Sequence, residues 1–312
     1  MLDPEEFEWD ARILKGYVVK AIAFDSKGNA WIGTQGQGLI RHSKKETVVY
    51  NSNNSALPED FWIWDIAVDK NDNVWIGSNG VWKYDGKKFT LYNSQNTAMP
   101  EDVVSSIAVD SKNNIWMASC RFQQGGLVKY DGAKWTAYTP ENSALPDNLI
   151  NNITIDQSDN VWLTVNSCLV KVSAGKWEVY DKNDLDLTNF IFAGIHFNSK
   201  NQLFGINDHS FNGLAVQPPS ELYVFDGKKA TILSYIDKVT GMPGQTKITI
   251  DHNDNVWCFG HVGRTDCGVW SGGQWTPLDC SEFGGSSVWV IKESPDHKIW
   301  FGTENGIYVR GH

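Results

Sequence analysis

Apolar and polar positions recur along this chain as one phrase. An apolar strand closes at Asp or a substitute, a polar turn rich in Asp, Asn and Gly follows, and a second apolar strand is centred on an aromatic residue. The phrase is plainest at Ile107-Ala-Val-Asp-Ser-Lys-Asn-Asn-Ile-Trp-Met-Ala-Ser119, and its other copies begin at Ile22, Ile66, Ile153, Ile195, Ile248 and Ile291. The central aromatics are Trp31, Trp75, Trp116, Trp162, Phe204, Trp257 and Trp300, separated by 44, 41, 46, 42, 53 and 43 residues. A period in the forties with several short strands per unit is the signature of a propeller. In the third unit the strands read as Val103–Val109, Ile115–Ser119, Gly126–Tyr130 and Lys134–Tyr138, with Asp131-Gly132 as a tight turn. The same turn recurs at Asp85-Gly86 and Asp226-Gly227. The strands are apolar on both faces instead of alternating, as expected where each blade packs on two neighbours. The pattern predicts one all-β domain over 1–312, a seven-bladed β-propeller. Its blades fall at about 17–50, 61–92, 103–138, 149–180, 190–235, 245–279 and 287–310 plus 5–10.

The ends explain that last pairing. The seventh unit stops after its third strand signal, Gly306–Arg310, whereas Glu6-Phe-Glu-Trp9 reads like the fourth-strand pattern Lys176-Trp-Glu-Val-Tyr180. The N-terminal segment is therefore expected to complete the last blade, which leaves no long open sheet edge.

Composition narrows the partners. Thirty-seven acidic against 27 basic residues give a net charge of −10, which argues against nucleic acid or an anionic membrane as partner. Fifteen Trp and 14 Phe supply a sizeable core. No apolar run is long enough to span a bilayer, so no membrane insertion of this segment is expected. The start, Met1-Leu-Asp-Pro-Glu-Glu-Phe7, has no apolar core and does not read as a leader. None of the five cysteines forms a CxxC pair, so no structural zinc is expected.

A second phrase separates the units: Asn53-Asn-Ser-Ala-Leu-Pro58, Gln95-Asn-Thr-Ala-Met-Pro100 and Asn142-Ser-Ala-Leu-Pro146. N-S-x-L-P, then I-x-x-D-x-x-x-N-x-W-x-G-T, then G-L-x-x-Y-D-G resembles the two-component-regulator propeller repeat. Units two to four match best. Unit five departs, with Asn198 for Asp and Phe204 for Trp, and unit seven has Ser294 for Asp. The resemblance implies a sensing role in a periplasmic or extracellular setting, with a signalling protein as a further partner.

The Asp-x-x-x-Asn turns, such as Asp69–Asn73, superficially look like calcium loops. They lack the glycine and terminal glutamate of that motif and read as plain hairpin turns. Variation within the repeat is concentrated instead at the face where blades begin. Just before each repeated Ile lie Lys20, Trp64-Asp65, Ser105-Ser106, Asn151-Asn152, Thr246-Lys247 and Trp289. Aromatic platforms beside polar groups suit a small polar ligand such as an oligosaccharide; water in a polar channel would also satisfy them. In Asp60-Phe-Trp-Ile-Trp-Asp65 at least one of Trp62 and Trp64 should reach this mouth.

Long second-to-third-strand loops are expected at 120–125, 207–221 and 261–266, with Arg121, His209 and Arg264 as polar contacts and Phe122 and Phe211 as stacking surfaces. The ligand-binding set is Lys20, Trp64, Asp65, Arg121, Asn151, Asn152, His209, Lys247, Arg264 and Trp289. Cysteine placement fits either Cys120–Cys168 and Cys267–Cys280 disulfides with Cys258 buried, or five thiols.

No G-x-S-x-G elbow occurs, and no catalytic residue or cofactor is assigned. His42, His252 and His297 read as solvated, while His196, His209 and His261 with Asp208 or Asp266 form the one metal-binding alternative. Streptogramin lyase is the nearest enzymatic resemblance, through its D-x-x-G-N-x-W repeats, but its catalytic phrases have no counterpart in this chain. The reading that results is a ligand-binding sensor module. A metal-assisted lyase or hydrolase and a protein-interaction scaffold stand as alternatives.

Overall fold

The computed structural model describes residues 11–121, 124–185, 192–207, 220–236, 247–259, 268–278, 283 and 287–311. The fold is a seven-bladed β-propeller whose blades are four-stranded sheets. The chain divides into two compact units, one of Tyr17–Val165 with Val170–Val179, the other of Tyr180–His312 with the segment ending at Gly16 and Asn166–Leu169.

The first unit carries blades one to three and most of blade four. Their strands are Val19–Phe24, Ala30–Thr34, Leu39–His42 and Thr47–Tyr50; Asp65–Val68, Val74–Ser78, Gly80–Tyr84 and Phe89–Tyr92; Val104–Val109, Ile115–Arg121, Gln124–Tyr130 and Trp135–Tyr138; and Ile150–Ile155, Val161–Val165, Cys168–Ser173 and Lys176–Tyr180. Second strands such as Val74–Ser78 and Val161–Val165 are buried at every position, which is why they read as unbroken apolar runs.

In the second unit, blade five is Phe192–Phe197, Leu203–Asn207, Ser220–Phe225 and Ala230–Ile236, and blade six is Lys247–Ile250, Val256–Phe259, Gly268–Ser271 and Gln274–Pro277. Blade seven is Val288–Glu293, Ile299–Thr303 and Gly306–Arg310, completed by Ala11–Ile13. The closing register pairs Ala11 with Val309, Arg12 with Tyr308 and Ile13 with Ile307, and the Arg12 guanidinium sits 4.9 Å over the Tyr308 ring. The last blade is thus closed by an N-terminal strand. The stretch expected to do so, residues 5–10, lies outside the described residues.

The repeated Asp is a turn cap and an anchor for the repeated Trp. Asp69 accepts the N–H groups of Asn71 and Asn73, the Asn73 amide, and the Trp75 indole N–H at 2.9 Å. Asp25, Asp110, Asp156 and Asp251 hold Trp31, Trp116, Trp162 and Trp257 in the same way at 2.9–3.1 Å. These carboxylate oxygens are occupied by donors, which accounts for the Asp and Asn without a cation. At Asp156 burial works against the charge, but the Trp162 and Asn160 donors outweigh it and hold the carboxyl below its usual range. In blade five all three residues change together: Asn198 bonds Gln202, and Phe204 brings no N–H to be seated.

The N-S-x-L-P phrase is also structural. Asn54, Asn96 and Asn142 each accept a backbone N–H at the end of the fourth strand and donate back to a carbonyl of that strand. Leu57, Met99 and Leu145 are buried.

One expectation is corrected. The loop expected at 120–125 is strand: Cys120 pairs with Gly125 and Arg121 with Gln124, so the ladder continues outward. Gly125 and Gly126, at φ +130° and +159°, supply backbone that other residues rarely adopt. Cys168 is half-buried at the start of its strand, and the Cys120 side chain lies outside the described residues. Cys258 is buried, and burial pushes its thiol well above the usual range. Cys267 and Cys280 lie outside the described residues.

Candidate functional site

Within each unit the first strands of successive blades lie side by side, Val19–Phe24, Asp65–Val68, Val104–Val109 and Ile150–Ile155 in the first unit. They share a local defect at the expected mouth. A register shift at the start of the strand inserts one extra residue: Lys20 in blade one, Ser105 in blade three, Asn151 in blade four, Ala193 in blade five and Trp289 in blade seven. Such a β-bulge interrupts the ladder and re-aims a side chain. Trp64 takes the corresponding place in blade two, its N–H donating to the Gly77 carbonyl at 2.8 Å. In blades one, three, four and seven the variable positions seen in the sequence are therefore bulge residues or their immediate successors.

The successors hold neighbouring blades together. Asp65 Oδ2 accepts the Ile107 N–H at 2.8 Å, and Ser106 Oγ accepts the Ile153 N–H at 3.2 Å. Blade one has Ala21 at this place and offers no acceptor, so Asp65 serves its own neighbour too, with Oδ1 taking the Ile66 N–H at 2.8 Å. The Asn152 side-chain oxygen is buried and finds no hydrogen-bond partner among the described residues.

Beside this frame stands an aromatic pair. Phe61 and Ile63 are buried, Phe61 edge-on to Trp82 at 5.8 Å, while Trp62 and Trp64 are 43% and 41% exposed. Strand-like alternation causes this: with Ile63 wedged against Gly33, where an added Cβ would lie 2.4 Å from Ile63 Cγ2, both tryptophans must face outward. Their rings are 5.6 Å apart at 57°. Gln35 bridges to Trp62, which ties the pair to blade one. The sequence marked Trp64 but left Trp62 off the binding set. The alternation of Phe61-Trp-Ile-Trp64 was the available signal.

The remaining expected residues divide. Lys20, Asn151 and Trp289 are half-buried at their bulges. Arg121 and Lys247 have described backbone, paired with Gln124 and Phe259, but their side chains lie outside the described residues, as do His209, Arg264, Phe122 and Phe211 entirely. Of the alternative metal set, His209, His261, Asp208 and Asp266 lie outside them too. His196 is on the first strand of blade five, its Nδ1 3.1 Å from the Phe197 carbonyl. Burial, with the Lys292 charge adding to it, lowers its pKa to about 4, so the ring is neutral at neutral pH. His252 and His297, expected to be solvated, are exposed, and they also meet at Glu293.

Residues 13–36 and 56–80 match the family model described as two component regulator propeller. No curated protein matches the sequence. Among solved structures, one similar chain is an extracellular domain described as that of a hybrid two component system, BT3049, from B. thetaiotaomicron. It is 19% identical with a TM-score of 0.71, over 96% of this chain and 39% of that one. The present chain thus spans about two fifths of that relative's length. Virginiamycin B lyase from Staphylococcus aureus gives 14% identity and a TM-score of 0.72, over 96% of both chains. YCF48 from Cyanidioschyzon merolae gives 13% and 0.68, over 97% of this chain and 98% of that one. At these identities the likeness is one of fold. No helix among the described residues is long and apolar enough to cross a membrane.

Proposed function

We propose that this propeller is an extracytoplasmic ligand-binding module of a sensor, recognising a small polar ligand such as a glycan fragment at the mouth where its blades begin. The observation that carries the reading is the Trp62–Trp64 pair, two large rings left about two-fifths exposed beside polar bulge residues. Exposed indoles next to hydrogen-bonding groups are what a sugar ring needs, an apolar face to stack on and polar partners at its edge. Lys20 and Asn151 supply such groups on the same unit, and the bulges that present them are fixed by the ladder. The family match at residues 13–36 and 56–80 and the fold shared with the BT3049 extracellular domain support a sensing role and an extracytoplasmic setting. A signalling protein is the expected recipient of the binding event.

The test is a thermal-shift screen of the purified chain against neutral and acidic oligosaccharides, peptides and divalent metals. A ligand at 100-fold excess over Kd stabilises by roughly 2.7 kcal/mol, which is readily seen. An oligosaccharide shift that is lost in both Trp62→Ala and Trp64→Ala supports the module. Shifts confined to metals, or a sugar shift untouched by both substitutions, count against it.

A further inference from the structure

On the turn side of blades six and seven the repeat is broken at three positions at once, and the three substitutes converge. In blades one, two, three and five the residue after the turn Asp, or after Asn198 in blade five, donates to the left-handed turn residue of the next blade. Ser26 donates N–H and Oγ–H to Asp72, Lys70 donates N–H to Asn113, Ser111 donates both groups to Asp159, and Ser199 both to Asp254. The acceptors have φ of 59° to 67°, a region that Asp and Asn tolerate better than most residues. Between blades six and seven the donor position is His252 and the acceptor position is His297, at φ 63°. The residue before the turn is also changed. It is Phe24, Val68, Val109, Ile155, Phe197 and Ile250 in the first six blades and Glu293 in the seventh.

These three side chains form one cluster. His252 Nδ1 lies 2.5 Å and His297 Nδ1 3.1 Å from Glu293 Oε1, and one ligand atom from each residue fits within 4.8 Å of the others. The imidazole rings are tilted at 37° to one another with centroids 4.0 Å apart. Glu293 is well covered, its side chain 17% exposed, whereas the histidines open to solvent at 35% and 59%.

We infer that His252, Glu293 and His297 are a binding site for a divalent transition-metal ion of the zinc type, bridging blade six to blade seven. Two imidazoles and a carboxylate are a donor set for zinc, copper or nickel rather than for calcium or magnesium. With zinc–ligand bonds of about 2.0–2.2 Å, tetrahedral donors stand about 3.3 Å apart, close to the spacing already present between His297 and Glu293. His252 moves outward by less than an ångström to match. Three protein donors leave a fourth position for water. The hydrogen bonds that link the other blades are replaced by an ion, so occupancy strengthens the junction.

Isothermal titration of the chelator-treated full chain with zinc chloride tests this, with magnesium chloride as comparison. The expected result is one zinc per chain and no magnesium binding. Zinc affinity should fall at least tenfold in His252→Ala, His297→Ala and Glu293→Gln, with a zinc-dependent rise in Tm lost in the same variants. His42→Ala in blade one and Cys168→Ser in blade four should bind as the parent does. The exposed histidines make misfolding of their variants unexpected, and Glu293→Gln preserves shape if either proves unstable. Absence of zinc binding, or affinity and Tm shift unchanged in all three cluster variants, overturns the inference.

Discussion

The Asp65 carboxylate, at the head of blade two, sits 2.8 Å from the backbone nitrogen of Ile107 in blade three. One oxygen takes that N–H and the other takes the N–H of Ile66, the residue that Ala21 of blade one cannot serve. A residue that the sequence pattern suggested for ligand binding is a structural clamp, because a bulge frees N–H groups that the ladder no longer satisfies.

Removal of that clamp is expected to cost stability. Asp65→Ala leaves two partly buried donors without their acceptor and should destabilise by about 1–3 kcal/mol. Asp65→Asn, which keeps one oxygen, should cost less. Urea unfolding of the two variants checks the order; equal losses would mean that the oxygen kept in Asp65→Asn contributes nothing.

The turn Asp and the repeated Trp should be coupled. Asp69→Asn places an amide where the Trp75 N–H must be accepted, and Trp75→Phe takes away one of the two donors to Asp69 Oδ2. Together they recreate the Asn198 and Phe204 combination of blade five. The double variant should therefore be less destabilised than the two single losses added, by about 1 kcal/mol or more. Strict additivity would detach the two substitutions in blade five from one another.

The closing seam depends on Gly306. Its φ is +98°, and an added Cβ would stand 2.6 Å from the Ile13 carbonyl oxygen. Gly86 has φ +88° with open space around it, so Gly86→Ala measures backbone strain alone, about 1–3 kcal/mol. Gly306→Ala should cost clearly more, and it should lower Tm more. Equal Tm losses would show that the Ile13 strand is not held tightly.

Acid should act through His196. Its folded pKa of about 4 lies below the ordinary 6.5, so the fold favours the neutral ring. That contribution is fully present above pH 6.5 and is lost as pH falls towards 4. Tm of the parent should drop more steeply between pH 7 and 4.5 than Tm of His196→Gln. Parallel pH profiles would remove His196 from the account.

Much of this molecule was legible in the sequence because a repeat states each local rule several times. Seven phrases in register fixed the seven blades, the Asp-x-x-x-Asn turns and the Asp-Gly hairpins, and a missing fourth strand signal in the last unit announced closure from the N-terminus. The turns and hairpins depend on contacts within about a dozen residues, where spacing and residue type suffice. Even there, the Cys120–Gly125 stretch read as a loop, since glycines mark a turn and an extended ladder equally well.

What the tertiary structure alone decided are relations between residues some forty positions apart. Asp65 meets Ile107 and Ser26 meets Asp72 only because adjacent blades bring equivalent positions side by side. Trp62 and Trp64 face outward together because Ile63 is wedged against Gly33 of the preceding blade. His252 and His297, separate turn residues in the sequence, become one cluster around Glu293 for the same reason. Local spacing sets the strands and turns, and the packing of one blade on the next sets which side chains can act together.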